Sequence, residues 1–453
     1  MPLHPPLLSA ADPILGGEGS VDPFTTQAAY ERLAERIFPS ITVRMKRIRM
    51  VTASCVTAWV CSTDELFGQL AKDGVTPSWL VFEWYLLEAH CRAGEGFAGN
   101  DTFGLAGWTK VRRAIQEGRA INAATYLRTP RIFGINGIYR RLATAQRFLT
   151  DDMRLDEQGY ELLRIWEKEQ GLKGFLSGRR NDGPGAGLLA DLRDAVKQGL
   201  REARTARSEQ WMYWKRLPEV LQANRIGRDE ARFLFDTLMS PPALKSGQTA
   251  ESYELRREMI EHMRAHGEVV DRPSERAFLR GLIRKGASPA LRPRLQAIDA
   301  FESLCAPVDD AFNLALALSK DGPLTARAFA KDQLAQGLPE RLRAACDRAL
   351  ATPTLLEHDP EVASTVQRLT LAYEDARKPE QVFEATLGLH EDAQRNKPPN
   401  GKRPWTERLG GSVIARPQYR PSQRPSGEEM YVHEYRMPSV SQFLKDLRRG
   451  AGS

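Results

Sequence analysis

The chain has 453 residues, 42% of them hydrophobic and 27% charged, with 65 Lys/Arg against 58 Asp/Glu and a pI near 9.1. This balance excludes a disordered or fibrous chain, and the length accommodates roughly two to four domains with a sizeable core. The cysteines Cys55, Cys61, Cys91, Cys305 and Cys346 are odd in number and form no Cys-x-x-Cys pair. They argue against a disulfide framework or zinc ribbon and for buried thiols in a reducing compartment.

Residues 1–24 are rich in Pro and Gly and read as a flexible or surface-bound arm. Met1 is not followed by a basic region and a long apolar run, so no signal peptide is expected. The most apolar stretch, 50–61, falls short of the about 20 residues that span a bilayer, and a cytoplasmic protein is expected. A helical domain follows over 25–102. Tyr30, Leu33, Ile37 and Phe38 have helical spacing up to Pro39, and a second helix is expected over 42–61. A third starts at Pro77-Ser78. Its aromatics Phe82, Trp84 and Tyr85 cannot share one face, so it must be packed on more than one side.

The Gly-rich stretch 97–108 marks a boundary. Beyond it, short helices are expected over 109–116 and 136–148. A polar turn at Asp151-Asp152, then Leu155, Gly159, Leu162 and Leu163, leads into a further helix. This order resembles the end of a winged-helix DNA-binding domain, covering about residues 103–170 within a module spanning 103–176. The resemblance implies that 136–148 is a recognition helix. Arg140, Arg141, Gln146 and Arg147 would then face the duplex, with Arg154 on the wing. A plain helical bundle is the alternative reading.

Residues 177–188 read as a linker. A helical array follows over 189–396, punctuated by Pro and Gly and without a repeat of fixed length. Helices are expected over 228–239 and 250–266, with separate ones at 292–305 and 308–319, and a continuous one over 360–395. The tail, 397–453, alternates weakly at 412–420 and 429–436, which suggests a hairpin, and ends in a helix over 439–449. The expected fold is mainly α and multi-domain, with a winged-helix module and a hairpin-containing basic tail.

The positive charge is concentrated. Residues 101–150 hold nine Lys/Arg against two acids, and residues 395–453 hold twelve against five. Each block carries +7, equal to the net charge of the whole chain. Concentrated cations interleaved with aromatics point to a polyanion. The candidate nucleic-acid contacts are Lys110, Arg112, Arg113, Arg128, Arg131, Arg140, Arg141, Arg147 and Arg154 in the first block. In the second they are Lys397, Lys402, Arg403, Trp405 and Arg436, with His390, Gln394, Tyr419, Tyr431, His433 and Tyr435 as further polar or stacking groups. A tail strapped onto the helical body would be the alternative for that block.

Catalytic signatures are absent. There is no Gly-x-x-x-x-Gly-Lys-Ser/Thr loop and no Gly-x-Ser-x-Gly elbow. Asp229-Glu230-Ala231-Arg232 has the letters of a helicase motif but no preceding apolar strand, and reads as a solvated helix start. His262 and His266 are spaced like a zinc pair, but two exposed histidines on an Arg/Glu-rich helix are the commoner case. No metal, cofactor or catalytic set is therefore assigned. The expected function is a non-catalytic subunit that binds nucleic acid, duplex DNA being favoured, and targets or scaffolds a partner enzyme. A bacterial regulatory or anti-phage defence complex fits its overall texture. A scaffold docking acidic proteins is the first alternative, and a metal-dependent hydrolase the second.

Overall fold

The computed structural model describes residues 22–93, 105–179, 181–222, 225–240, 250–267, 269–357, 359–398, 400–421, 425 and 430–451. Among these, nineteen α-helices and three short strands form, so the chain is mainly helical, as expected. In order they are α1 (Gln27–Ile37), α2 (Arg49–Val60), α3 (Ser78–Arg92), α4 (Trp108–Gln116), α5 (Pro130–Phe133), α6 (Ile135–Ala145), α7 (Glu157–Glu169), α8 (Pro184–Glu202), α9 (Tyr213–Val220), α10 (Arg228–Met239), α11 (Ala250–His266) and α12 (Arg272–Arg284). There follow α13 (Leu291–Leu318), β1 (Leu324–Thr325), α14 (Ala326–Phe329), α15 (Gln333–Leu350), α16 (Pro353–Leu356), α17 (Pro360–Tyr373), α18 (Pro379–Arg395), β2 (Thr406–Leu409), β3 (Ser412–Ala415) and α19 (Met437–Ala451). No helix among the described residues is long and apolar enough to cross a membrane.

The chain divides into two compact units, each discontinuous in sequence. One comprises residues up to Ile37 with Val270–Tyr435, the other Phe38–Val269 with Arg436 onward. Helix α1 thus falls in the same unit as the later helical array, and α19 in the same unit as α2–α11.

The second unit is built around α2 and α3. Eleven of the twelve residues of α2 and twelve of the fifteen of α3 are buried, which is why neither shows a one-sided apolar stripe. Helices α6, α7 and α8 pack on α2, and α4, α8 and α9 on α3. The basic start expected of the second helix is not helical, and α2 begins only at Arg49. Arg47 and Arg49 are buried. Arg47 pairs with Asp446 of α19 at 2.7 Å, and Arg49 pairs with Glu230 of α10. The start of α10 is therefore not a solvated turn. Asp229 is exposed, but Glu230 lies in the core, where it also accepts a hydrogen bond from Thr52 Oγ1 at 2.6 Å. The expected linker is likewise partly helix: Pro184 occupies the first turn of α8, where its missing N–H has no intrahelical partner to lose.

In the first unit α13 is the central element, contacted by α1, α12, α15, α16 and α18. The two helices expected there are one, because Pro307 is accommodated inside it. The residues flanking it, Phe301, Leu304, Cys305, Val308, Ala311 and Phe312, form one buried face, and that burial outweighs the lost backbone hydrogen bond. The long helix expected over 360–395 is two, α17 and α18, split by a turn before Pro379.

The tail hairpin forms, but one segment earlier than expected. Strands β2 and β3 pair antiparallel around Gly410-Gly411, and β3 also pairs with β1. Gly410 has φ +61°, the left-handed conformation a two-residue hairpin turn requires. Residues 430–436 form no strand among the described residues. Residues 1–21 of the expected arm and 97–104 of the expected Gly-rich boundary lie outside the described residues. The arm's last residues are anchored, however: Asp22 accepts from the backbone N–H of Thr26 and Gln27, and Phe24 is buried against Phe312.

Candidate nucleic-acid interface

The first basic block folds within the second unit as α4, the 117–129 connection, α5 and α6. Its apolar residues point inward: Val111 and Ala114 from α4; Tyr139, Leu142 and Ala143 from α6; Tyr126 between them. The cations occupy the remaining positions. Lys110, Arg112, Arg113, Arg119, Arg128, Arg131 and Arg140 are exposed, Arg141 and Arg147 are half-buried, and none of the nine is buried.

Several of these side chains are engaged locally. Arg113 pairs with Glu117 at 2.8 Å, and Arg119 shares the same carboxylate. The Arg113 guanidinium, with Arg119, holds the Glu117 carboxyl below its ordinary range. Arg147 pairs with Glu157 at 2.9 Å, and Arg140 donates to the Asp151 carbonyl. Lys110 reaches the Tyr126 carbonyl at 3.4 Å. Arg112, Arg128 and Arg131 make no ion pair or hydrogen bond among the described residues.

The seat of α6 is an acidic side chain buried in α3. The Glu83 carboxylate accepts from Ile135 N at 3.0 Å, from Asn136 N and Nδ2 at 2.9 Å each, and from Tyr126 Oη at 2.7 Å. It thus satisfies the first N–H groups of α6 and places negative charge at the positive end of the helix dipole. Burial raises the Glu83 pKa, against the pull of these four donors. After α6, Leu149 and Leu155 bridge across a tight turn, in which Thr150 N donates to the Arg154 carbonyl at 2.9 Å. Helix α7 then passes so close that a Cβ at Gly159 would collide with the Phe148 carbonyl. Arg154 lies with its guanidinium 3.6 Å from the Phe67 ring centroid and 3.2 Å from Asp152.

Two expectations for this block need correction. Gln146 is 2% exposed and faces the core, so it does not belong to a recognition surface. The aromatics interleaved with the cations are mostly core: Tyr126, Tyr139 and Phe148 are buried, and Phe133 has the Arg44 guanidinium 4.4 Å from its ring centroid. Arg154 itself is exposed in the turn between Leu149 and Leu155, with its guanidinium against Phe67.

The tail differs more. Lys397 is buried and donates to the Asp22 carbonyl. Arg436 is fully buried and donates to the Phe38 carbonyl at 2.7 Å. Neither belongs on a nucleic-acid surface. His390 and Gln394 are also buried, both on the Pro23 carbonyl at 3.0 Å. His390 Nε2 accepts from Trp405 N at 2.9 Å, so the ring is neutral. Burial, with Lys397 nearby, pushes its pKa down to about 4. Trp405 is half-buried and stacks on Tyr419 at 4.6 Å. Of the expected tail cations, Arg403 is exposed and Lys402 half-buried. Tyr431, His433 and Tyr435 are buried in the first unit, so this stretch straps aromatics onto the helical body.

Sequence reasoning missed the centre of that strap. Glu302 of α13 is 1% exposed and accepts from Val432 N, His433 Nδ1 and Tyr435 Oη at 2.6, 2.6 and 3.0 Å. Burial opposes the His433 imidazolium, but Glu302 outweighs it and raises the His433 pKa, with Asp22 and Asp309 adding to the effect. Asp22, Asp309, Trp405 and His433 line a cavity of about 460 Å³. Burial and then the adjacent Asp310 push Asp309 up to about 6. No spacing signal marks this group, because Glu302 and His433 are 131 positions apart.

His262 lies 3.5 Å from Glu258, and His266 is exposed. Among the described residues no three His, Cys, Asp or Glu side chains converge in a way that could hold a metal ion. Cys55, Cys61 and Cys305 are buried and Cys91 and Cys346 half-buried, all as free thiols with pKa values raised by burial. Comparison with known proteins found no matching family model, no similar curated protein and no similar solved structure.

Proposed function

We propose that the chain is a non-catalytic, nucleic-acid-binding subunit. It takes duplex DNA on the basic surface of α4, α5 and α6 and targets or scaffolds a partner enzyme. One observation carries the reading: none of the nine cations of the first basic block is buried, and Arg112, Arg128 and Arg131 make no ion pair or hydrogen bond among the described residues. The second block, by contrast, spends Lys397 and Arg436 on internal hydrogen bonds. Free guanidinium groups are suited to phosphates, and each neutralised phosphate releases counterions.

Duplex is favoured over single strand by the aromatics. Single-strand binding relies on rings open to stacking, whereas Tyr126, Tyr139 and Phe148 are core residues and Phe133 is covered by Arg44. The winged-helix resemblance supports α6 as the helix nearest the groove, with Arg140 and Arg141 on it. The test is binding of the purified full chain to a labelled duplex of about 40 base pairs, a matched single strand and a matched RNA, at low and moderate salt. The reading requires duplex to bind tightest, with affinity falling steeply as salt rises. Equal or absent binding of all three rejects it.

A further inference from the structure

We propose that a groove formed by α10, α11 and α19 in the second unit docks an acidic, amphipathic segment of a partner protein. The groove encloses about 440 Å³, room for two or three side chains. Its floor is apolar: Ala231 and Phe235 from α10, with Leu444 and Leu447 from α19. Its rim carries four arginines, Arg228, Arg232, Arg264 and Arg448, and among the described residues the only acidic side chain lining it is Asp229.

Two of the arginines are fixed in place. Arg448 donates to the Gly267 and Arg264 carbonyls at 3.0 and 3.2 Å, capping the C-terminal end of α11. The Arg264 guanidinium lies 4.8 Å from the Phe235 ring centroid. The other two are available. Arg228 is exposed and has no hydrogen bond or ion pair among the described residues. Arg232 is 84% exposed and only 3.8 Å from Asp236, a contact weak enough for a better-placed carboxylate to displace.

Charge and shape together select the occupant. Four guanidinium groups around an apolar floor complement carboxylates flanking apolar side chains, the pattern of an amphipathic helix laid in a groove. A nucleic acid would need a ring face for its bases. Among the described residues Phe235 is the one aromatic lining the groove, and Arg264 lies over it. The inference is independent of duplex binding, because none of these residues belongs to the α4–α6 surface.

The test uses the full chain and a fluorescein-labelled peptide of about 16 residues, with Leu at i, i+3, i+4 and i+7 and Glu at most other positions. Controls are a scrambled peptide of the same composition, a version with Lys for Glu, and a labelled single-stranded oligonucleotide. Arg228→Glu/Arg232→Glu is the variant, chosen because both side chains are exposed; an unchanged thermal midpoint verifies its fold. Binding with Kd of about 10–100 µM is expected for the acidic amphipathic peptide, at least about tenfold weaker for both control peptides and for the variant. No saturable binding overturns the proposal. So do equal affinities for the ordered and scrambled peptides, an unchanged affinity in the variant, or tighter binding of the oligonucleotide that the variant abolishes.

Discussion

Asn136 donates twice to the buried carboxylate of Glu83, through its backbone N–H and through Nδ2, both at 2.9 Å. Through this pair α3 sets the position of α6, and with it Arg140 and Arg141. Replacing Glu83 by Ala leaves the first N–H groups of α6 unpaired in the core and the Tyr126 hydroxyl with only its longer contact to the Ala106 carbonyl at 3.4 Å. The variant should lose about 2–4 kcal/mol of stability, read as a lower urea midpoint. Duplex affinity should fall as well, although residue 83 is buried. An unchanged midpoint would show that the carboxylate does not hold the helix.

Arg436 and Arg128 should behave in opposite ways. Arg436→Met breaks a buried hydrogen bond to the Phe38 carbonyl and should lower stability by about 1–3 kcal/mol, while the folded fraction binds duplex as the parent does. Arg128→Ala removes an exposed cation without a partner among the described residues. It should leave stability within about 0.5 kcal/mol and reduce the salt slope of duplex binding by about 1. Urea melts and salt-series anisotropy on the two proteins decide the matter. The account fails if Arg436→Met flattens the slope.

The two buried histidines should bound the first unit's stability from opposite sides in pH. His390 is held at about 4 when folded, against about 6.5 unfolded. Between these values the unfolded chain binds more protons, so stability falls as pH drops through that window. His433 is raised by Glu302, so its contribution is fully present below about 6.5 and is lost as pH rises through its folded value. His390→Gln should flatten the acid limb of a stability–pH curve, and His433→Gln the limb on the other side. Limbs exchanged between the two variants would contradict the assignment.

How much was legible follows from where the information lies. The limits of α10 and α11 could be read from periodicity and the breaks around them, although the first N–H groups of α10 are satisfied from a distance, by the Glu169 carboxylate. The outward placement of the first basic block was legible too, because its apolar residues alternate with its cations at helical spacing. Arg47, Arg49, Lys397 and Arg436 look like surface cations in sequence, and only distant partners reveal otherwise: Arg47 meets Asp446 across 399 positions and Arg49 meets Glu230 across 181. The hairpin was misplaced because its signal, Gly410-Gly411, is a turn of two residues between strands of four, too short to show alternation. The arginine groove was invisible for a similar reason, as α10, α11 and α19 each contribute only part of it.

The most direct test of duplex binding is a salt series of fluorescence anisotropy on a labelled duplex of about 40 base pairs, comparing the parent with Arg112→Glu/Arg128→Glu/Arg131→Glu. The account predicts a steep linear fall of log affinity with log salt for the parent. For the variant it predicts affinity lower by at least about a hundredfold at low salt and a slope shallower by about 3, with an unchanged urea midpoint. Parent-like affinity and slope in a folded variant would contradict it, and the α4–α6 surface would then not be where this chain meets DNA.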